Sequence, residues 1–291
     1  MEYKNLNYKK ENEDVWDLII APRAPSFNLN INQILKYRDL IMLFVRRDFV
    51  SYYKQTILGP LWFFIQPILT TITFTVIFGN IAAISTDGIP TVVFYLAGIT
   101  VWSYFSDCLI KTSETFISNQ QIFGKVYFPR IIVPISIVIS NIIKLGIQFL
   151  LFIMIWIYYL INNSSIAPNW CMFLFPLLVF IMAGIGLGAG MLISSMTTKY
   201  RDLRFLIQFG VQLFMYATPI VYPLSVVSEK YRLIILANPM TGIIEAFKYG
   251  FLGGNNFQMV YLLYSFCFML VILFIGLVVF NKVEKSFVDV V

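Results

Sequence analysis

The sequence predicts an all-α integral membrane protein. It should have six transmembrane helices, an N-terminal amphipathic interface helix, a re-entrant helix pair before the last span, and both termini in the cytoplasm. Three observations carry this reading. Of the 291 residues, 59% are hydrophobic and 12% charged, a balance that suits a chain dissolved in lipid. The apolar residues gather into six stretches, Leu58–Phe78, Thr91–Ile110, Ile131–Ile161, Trp170–Met196, Phe205–Tyr222 and Met259–Phe280. The Lys and Arg residues fall almost entirely on one side of them.

About 20 apolar residues in a helix cross the roughly 30 Å hydrocarbon layer. Backbone groups in lipid must be satisfied within the segment, so such runs read as helices. Barrel strands would alternate in polarity over about 10 residues, and these runs do not alternate.

Charge sets the orientation. Lys4, Lys9, Lys10, Arg23, Lys36, Arg38, Arg46, Arg47 and Lys54 precede the first span. Lys111, Lys125 and Arg130 follow the second, Lys199, Arg201 and Arg204 follow the fourth, and Lys282 and Lys285 lie in the tail. The loops Ile81–Pro90 and Asn162–Asn169 carry no Lys or Arg. By the positive-inside rule the basic segments are cytoplasmic. Only Lys230, Arg232 and Lys248 fall on the other side, three against seventeen.

Composition also excludes chemistry. There is no histidine, which removes His-based acid–base catalysis, His metal sites and Ser–His triads. Cys108, Cys171 and Cys267 are far apart and form no metal spacing; they read as small packing residues. No phosphate-loop motif occurs, so any nucleotide drive must reside in another subunit. The net charge of +6 reflects the inside bias and attraction to anionic lipid rather than nucleic acid. The first thirty residues are polar and show no cleavable signal pattern.

Taken in order, residues 1–30 form a cytoplasmic arm. Residues 31–54 carry Ile31, Ile34, Leu35, Ile41, Met42, Val45 and Phe49 at helical spacing among basic residues, the pattern of an interfacial amphipathic helix. Residues 55–280 form the membrane domain. Gly59-Pro60 opens its first span, where a proline costs nothing, and Pro67 should bend it. Residues 119–127 read as a short polar helix between two spans. Gly184, Gly186, Gly188 and Gly190 lie inside the fourth span and point to close helix packing. Residues 224–252 hold two apolar pieces, Leu224–Ala237 and Met240–Leu252, divided by Asn238-Pro239. Each is too short to span and suits a re-entrant pair, a candidate outer gate with Pro223, Asn238, Pro239 and Glu245. A solvated outer position is expected for Glu245. Residues 281–291 form a cytoplasmic tail.

Three constellations recur along this topology. The first is Arg46-Arg47-Asp48-Phe49 with Tyr53-Lys54-Gln55-Thr56, Leu58-Gly59-Pro60-Leu61-Trp62 and Gln66-Pro67. The second is Asn119, Ile122, Lys125, Phe128-Pro129-Arg130 and Pro134. The third is Tyr200-Arg201-Asp202-Leu203 with Thr218-Pro219-Ile220, Tyr222-Pro223 and Asn238-Pro239. In this order they resemble the membrane subunits of ABC-type polysaccharide exporters, which move O-antigen, teichoic acid or capsule chains. The resemblance runs from about Trp16 to the last span.

The resemblance implies a permease in the bacterial inner membrane, with two copies of the chain paired with two ATP-binding subunits. Those subunits would hold ATP and Mg, leaving this chain without a cofactor and without catalysis of its own. The substrate would be a lipid-linked polysaccharide. Asn119, Gln120, Gln121, Ile122 and Lys125, with Arg46 and Arg47, would couple to the ATPase. Spans one and five would line the channel, with Trp62, Phe74, Phe78, Phe205, Phe209 and Tyr216 as candidate wall residues. The 28 Phe, 17 Tyr and 5 Trp suit such a wall, since sugar C–H faces stack on aromatic rings and many weak sites permit passage.

Lys144 lies inside the third span and Asp107 in the second, a candidate intramembrane pair, with Glu114 as a second possible partner. A drug- or lipid-exporting ABC permease is the alternative reading. An ion-coupled carrier usually has internal repeats and midplane carboxylates, neither of which is found. A membrane-embedded transferase lacks clustered carboxylates here.

Overall fold

The computed structural model describes residues 35–287 apart from 55, 127, 163, 164, 201, 255 and 256. The predicted arm, the first residues of the interface helix, Gln55, Tyr127, Arg201, Asn255, Asn256 and the end of the tail lie outside the described residues.

All regular structure among the described residues is helical. The helices are α1 (Arg38–Tyr53), α2 (Trp62–Phe74), α3 (Thr91–Ser113), α4 (Thr115–Ser118), α5 (Gln120–Phe123), α6 (Ile132–Asn162), α7 (Phe175–Thr197), α8 (Leu203–Tyr216), α9 (Glu229–Leu236), α10 (Pro239–Leu252) and α11 (Met259–Phe287). Five are long and apolar enough to cross a membrane, over Gly59–Ile81, Thr91–Ser113, Ile132–Asn162, Trp170–Thr197 and Met259–Glu284. The chain is a multi-pass membrane protein.

The fifth predicted span is shorter than its apolar run. It ends at Tyr216, after 14 residues, or about 21 Å of helix. Pro219 is the reason: it offers no N–H, and it disfavours a helical conformation at Thr218. The Thr218 hydroxyl donates back to the Phe214 carbonyl at 2.7 Å, closing the last turn.

α2 begins in a 3-10 turn over Gly59–Leu61, with Pro60 in the first turn and Gly59 at φ +50°. Its buried seam is Phe63, Pro67, Thr71 and Phe74, a spacing of four, four and three that follows one helix face. From Thr75 to Ile81 it loosens into a π-helix. Leu69 and Ile72 point outward at 56% and 54% exposure.

α7 is the centre of the bundle, packed between α3 and α11. Its four glycines alternate between these neighbours. A Cβ on Gly184 would lie 2.5 Å from the Met269 side chain, and one on Gly188 would lie 2.6 Å from the Leu273 backbone. A Cβ on Gly186 would reach Cys108 at 2.8 Å, and one on Gly190 would reach Thr112 at 2.5 Å. Pairs four apart share a helix face, so each glycine pair lets one neighbour approach closely. This is the small-residue packing the sequence predicts. Gly276 on α11 meets Gly188 backbone to backbone.

The predicted re-entrant pair is unequal. Its first piece shrinks to a 3-10 turn, Leu224–Val226, and α9, which has no buried residue. α10 is buried at all but one position and packs against α3, α7, α11 and the turn Trp170–Leu174.

A buried helix end must find partners for its last four carbonyls. α10 finds them all. Asn169 Nδ2 donates to Tyr249 O at 3.2 Å and Asn169 N to Gly250 O at 2.8 Å. Trp156 Nε1 donates to Phe251 O at 2.7 Å and Ala167 N to Leu252 O at 3.2 Å. Gly253, at φ +84°, then turns the chain out, where a Cβ would press on the Ala167 carbonyl at 2.8 Å. At the other end Asn238 caps the helix, its Oδ1 accepting from Met240 N at 2.9 Å, with Pro239 in the first turn.

Candidate functional site

At the basic end of the bundle, the short helix expected over 119–127 is helical only at Gln120–Phe123, and Asn119 breaks it from α4 before it. The break is held by the Asn119 side chain. Its Nδ2 donates to the Thr115 carbonyl at 3.0 Å, and its Oδ1 accepts from Arg47 Nη1 at 3.3 Å. Arg47 also pairs with Asp48 at 2.8 Å and lies over the Phe44 ring at 4.6 Å. Asn119 and Arg47 thus tie α1 to the α4–α5 turn; Asn119 is not presented outward, whereas the Arg47 side chain is 37% exposed. Asn119 is buried, whereas Arg46, Gln120, Gln121 and Lys125 are exposed and Ile122 is half-buried.

The turn is anchored from below. Phe123 packs on Phe116 and Phe128, with ring centroids 6.0 and 5.8 Å away. The Arg130 guanidinium sits 5.3 Å from the Phe123 ring and donates to the Glu284 carbonyl at 3.0 Å. Beside the turn is a polar cavity of about 340 Å³ whose lining includes Arg47, Asp48, Lys111, Glu114 and Asn119. Glu114 pairs with Arg204 of α8 at 2.7 Å and accepts from Gln208 at 3.1 Å. Its partner is therefore Arg204 and not Lys144. The Arg204 and Gln208 contacts were not legible in sequence, because they join segments 90 and more residues apart.

Inside the bundle α3 and α6 meet along three polar rungs. Ser103 donates to Gln148 at 2.5 Å, Lys144 pairs with Asp107 at 2.6 Å, and Lys111 donates to Asn141 at 2.7 Å. The central rung is the pair expected from sequence. The outer two were missed, although the signal was present: Ser103, Asp107 and Lys111 are four apart and so share one face.

The aromatic candidates divide. Phe205, Phe209, Trp62 and Tyr216 are exposed, Phe205 by 71% and Phe209 by 62%. Phe74 is buried, edge-on to Phe78 at 5.3 Å and to Tyr95 at 6.1 Å. It cannot line a wall, because α2 turns that face towards α3. Phe78 is half-buried.

The opposite end departs furthest from expectation. Glu245 is 9% exposed, not solvated, because α10 is sunk in the bundle. It faces a cavity of about 340 Å³ that also touches Asp87, Phe94, Lys248, Tyr249 and Phe257. Lys248 is buried as well, donating to the Pro219 carbonyl at 2.7 Å with its Nζ 3.5 Å from the Phe94 ring centroid. Asp87 is held by Ser225, whose hydroxyl lies 2.7 and 2.8 Å from its two oxygens. Burial pushes the Glu245 carboxyl above the ordinary carboxylate range, and burial pulls the Lys248 ammonium below the ordinary lysine range. Asn238 and Pro239 act here as a joint: Asn238 Nδ2 donates to Thr218 Oγ1 at 2.8 Å and Ser265 to the Pro239 carbonyl at 2.6 Å. Pro223 is buried on the cavity wall. Among the described residues no group of three His, Cys, Asp or Glu could hold a metal ion.

The family profile of ABC-2 type transporters matches residues 39–252. The chain belongs to this family. The match runs from the start of α1 to the last residue of α10, so the α4–α5 turn, the polar rungs and the buried cavity all lie within it. The ABC-2 protein is similar over most of its length to curated relatives. It is 28% identical over 255 residues to the O-antigen export system permease protein RfbA of Klebsiella pneumoniae, covering 87% of this chain and 95% of that one. It is 26% identical over 221 residues to the protein of that name from Myxococcus xanthus, covering 75% and 82%. It is 25% identical over 238 residues to the polysialic acid transport protein KpsM of Escherichia coli, covering 79% and 87%. In this ABC-2 transporter the α1–α4–α5 corner is the outward-facing polar structure at the basic end, and α10 is the buried element at the other.

Proposed function

We propose that this chain is the membrane permease of an ATP-driven exporter that moves a lipid-linked polysaccharide across the bacterial inner membrane. The observation that carries the reading is the similarity to polysaccharide-export permeases over three quarters or more of the chain. The chain is a transport subunit rather than an enzyme, and a separate ATP-binding subunit supplies hydrolysis, with its ATP and Mg. Gln120, Gln121 and Lys125, exposed on the α4–α5 turn, together with Arg46 on α1, suit the contact with that subunit. The basic end then faces the cytoplasm, with both termini inside and six crossings, α8 making the short one.

The exposed aromatic face of α8 and the outer face of α2 support a wall shared by two copies of the chain. Leu206 and Leu213, at 66% and 52% exposure, extend that face. Apolar rings at helical intervals grip sugar faces weakly and repeatedly, which a sliding polymer requires.

Deleting the chain in its host should remove glycan from the cell surface and leave lipid-linked glycan on the cytoplasmic leaflet. Restoring the chain should reverse both. Normal surface glycan with a new sensitivity to apolar drugs would overturn this reading in favour of a drug exporter. In a cysteine-free background, a cysteine at Asp87 should label from outside and one at Lys199 only from inside. Labelling of the Lys199 position from outside would overturn the topology.

A further inference from the structure

The cavity at the foot of α10 holds an unusual set of groups. Glu245 is nine-tenths buried and faces the open volume, yet among the described residues nothing donates a hydrogen bond to it. Lys248 and Arg232 lie near enough to favour its charge, but a buried carboxyl group without a hydrogen-bond donor is costly, so a site of this kind suits something that donates to it. Lys248, three residues on along the same face of α10, is buried at 5% exposure and fixed in place by the Pro219 and Ile220 carbonyls at 2.7 and 3.4 Å. An ammonium has three donors and no acceptor. The rest of the lining is aromatic: Tyr249 and Phe257 stack with centroids 5.3 Å apart and planes 27° apart, and the Phe94 ring lies 3.5 Å from the Lys248 Nζ.

Acceptor, donor and flat apolar wall together match one chemical class. A pyranose offers hydroxyls that donate to a carboxylate, oxygens that accept from an ammonium, and C–H faces that lie on aromatic rings. A simple cation would meet Lys248, and a simple anion would meet Glu245 and Asp87. Water alone would satisfy Glu245 but would gain nothing from the stacked rings. The volume, about 340 Å³, is at the lower end of the roughly 300–1,000 Å³ of small-molecule sites, so it takes a single ring and not a length of polymer.

We propose that this cavity is a saccharide-binding subsite for one neutral sugar residue, with Glu245 accepting its hydroxyls, Lys248 donating to its oxygens and Tyr249 with Phe257 as its platform. The choice of ligand class rests on the polysaccharide-export reading above. The site stands apart from the exposed faces of α2 and α8, none of whose residues line it. It recognises sugar at the end opposite the basic one, where an emerging glycan would be met.

The test uses the full chain in lipid nanodiscs and saturation-transfer NMR. The probes are the methyl glycosides of glucose, mannose, galactose, rhamnose and N-acetylglucosamine, with inorganic phosphate and methylammonium as controls. At least one glycoside should receive transfer and neither control should compete with it. Glu245→Gln should weaken binding about tenfold, as expected for loss of a hydrogen bond to a charged group, and Tyr249→Leu should weaken it further. Thermal unfolding and the elution profile of each variant report whether it folds. A lack of transfer to every glycoside from the folded protein would overturn the proposal, as would undiminished binding by folded Glu245→Gln. Competition by phosphate would reassign the cavity to an anion. Surface glycan measured in the same variants keeps the two readings apart: glycan still exported without sugar binding removes the subsite alone.

Discussion

Arg47 on α1 and Asn119 between α4 and α5 are 72 positions apart in sequence and 3.3 Å apart in space. This bond joins the two elements that face out at the basic end. The α4–α5 turn that carries Gln120 and Gln121 is thus bonded to α1, and Glu114, where α3 meets α4, is bonded to Arg204 of α8. The coupling corner is one connected polar structure rather than two separate contacts.

That connection predicts non-additivity. Arg47→Ala and Asn119→Ala should each lower thermal stability, and the double variant should lose less than the sum, with a coupling of about 1 kcal/mol. Strict additivity would show that the bond carries no energy. Gln120→Ala with Gln121→Ala should leave stability unchanged and reduce transport per ATP hydrolysed, since both side chains face out.

The Asp107–Lys144 pair sits where water is scarce, with side chains 23% and 13% exposed. Asp107→Asn leaves a buried cation without its partner and should cost about 3–5 kcal/mol. Removing both charges, as in Asp107→Asn with Lys144→Met, should recover most of that loss. A double variant as unstable as the single one, by thermal unfolding in nanodiscs, would mean the pair does more than cancel charge.

The glycines of α7 predict a sharp contrast between methyl groups. Gly188→Ala drives a Cβ into the α11 backbone and should sharply lower the yield of folded protein. Gly210→Ala on α8 meets nothing within 4 Å, and should raise stability by up to about 1 kcal/mol through helix propensity. Equal yields of the two variants would contradict the packing described.

The aromatic residues should separate by burial. Phe74→Ala should destabilise by about 3–5 kcal/mol, because it empties a packed position. Phe205→Ala with Phe209→Ala and Tyr216→Ala should leave the fold intact and reduce glycan export. Wild-type export by that triple variant would assign these rings to lipid.

Much of this architecture was written in the chain's periodicity. Long apolar runs have few alternatives in lipid, so α3 and α6 fall close to their predicted limits, while α7 starts five residues late, after a 3-10 turn, and α11 runs on seven residues past Phe280. The glycine run could be read because small residues inside a span have one common use. What escaped depended on distance in sequence or on depth. The polar rungs needed the α3–α6 register before Gln148 could be matched to Ser103. The burial of Glu245 needed to be known from packing, since a charged residue in a short apolar piece suits a solvated bend equally well. Phe74 and Phe78 looked equivalent one turn apart, and only the way α2 leans on α3 distinguishes them.

Because α7 offers close-contact faces on both sides, α3, α7 and α11 are locked at backbone distance and have little room to slide. The remaining elements are attached more lightly. α8 has a single buried residue, Val211, and α2 holds on by one seam that relaxes into a π-helix. The bonds that tie α8 to the rest are therefore few and polar: Glu114 with Arg204 at one end, and Thr218 with Asn238 just beyond the other.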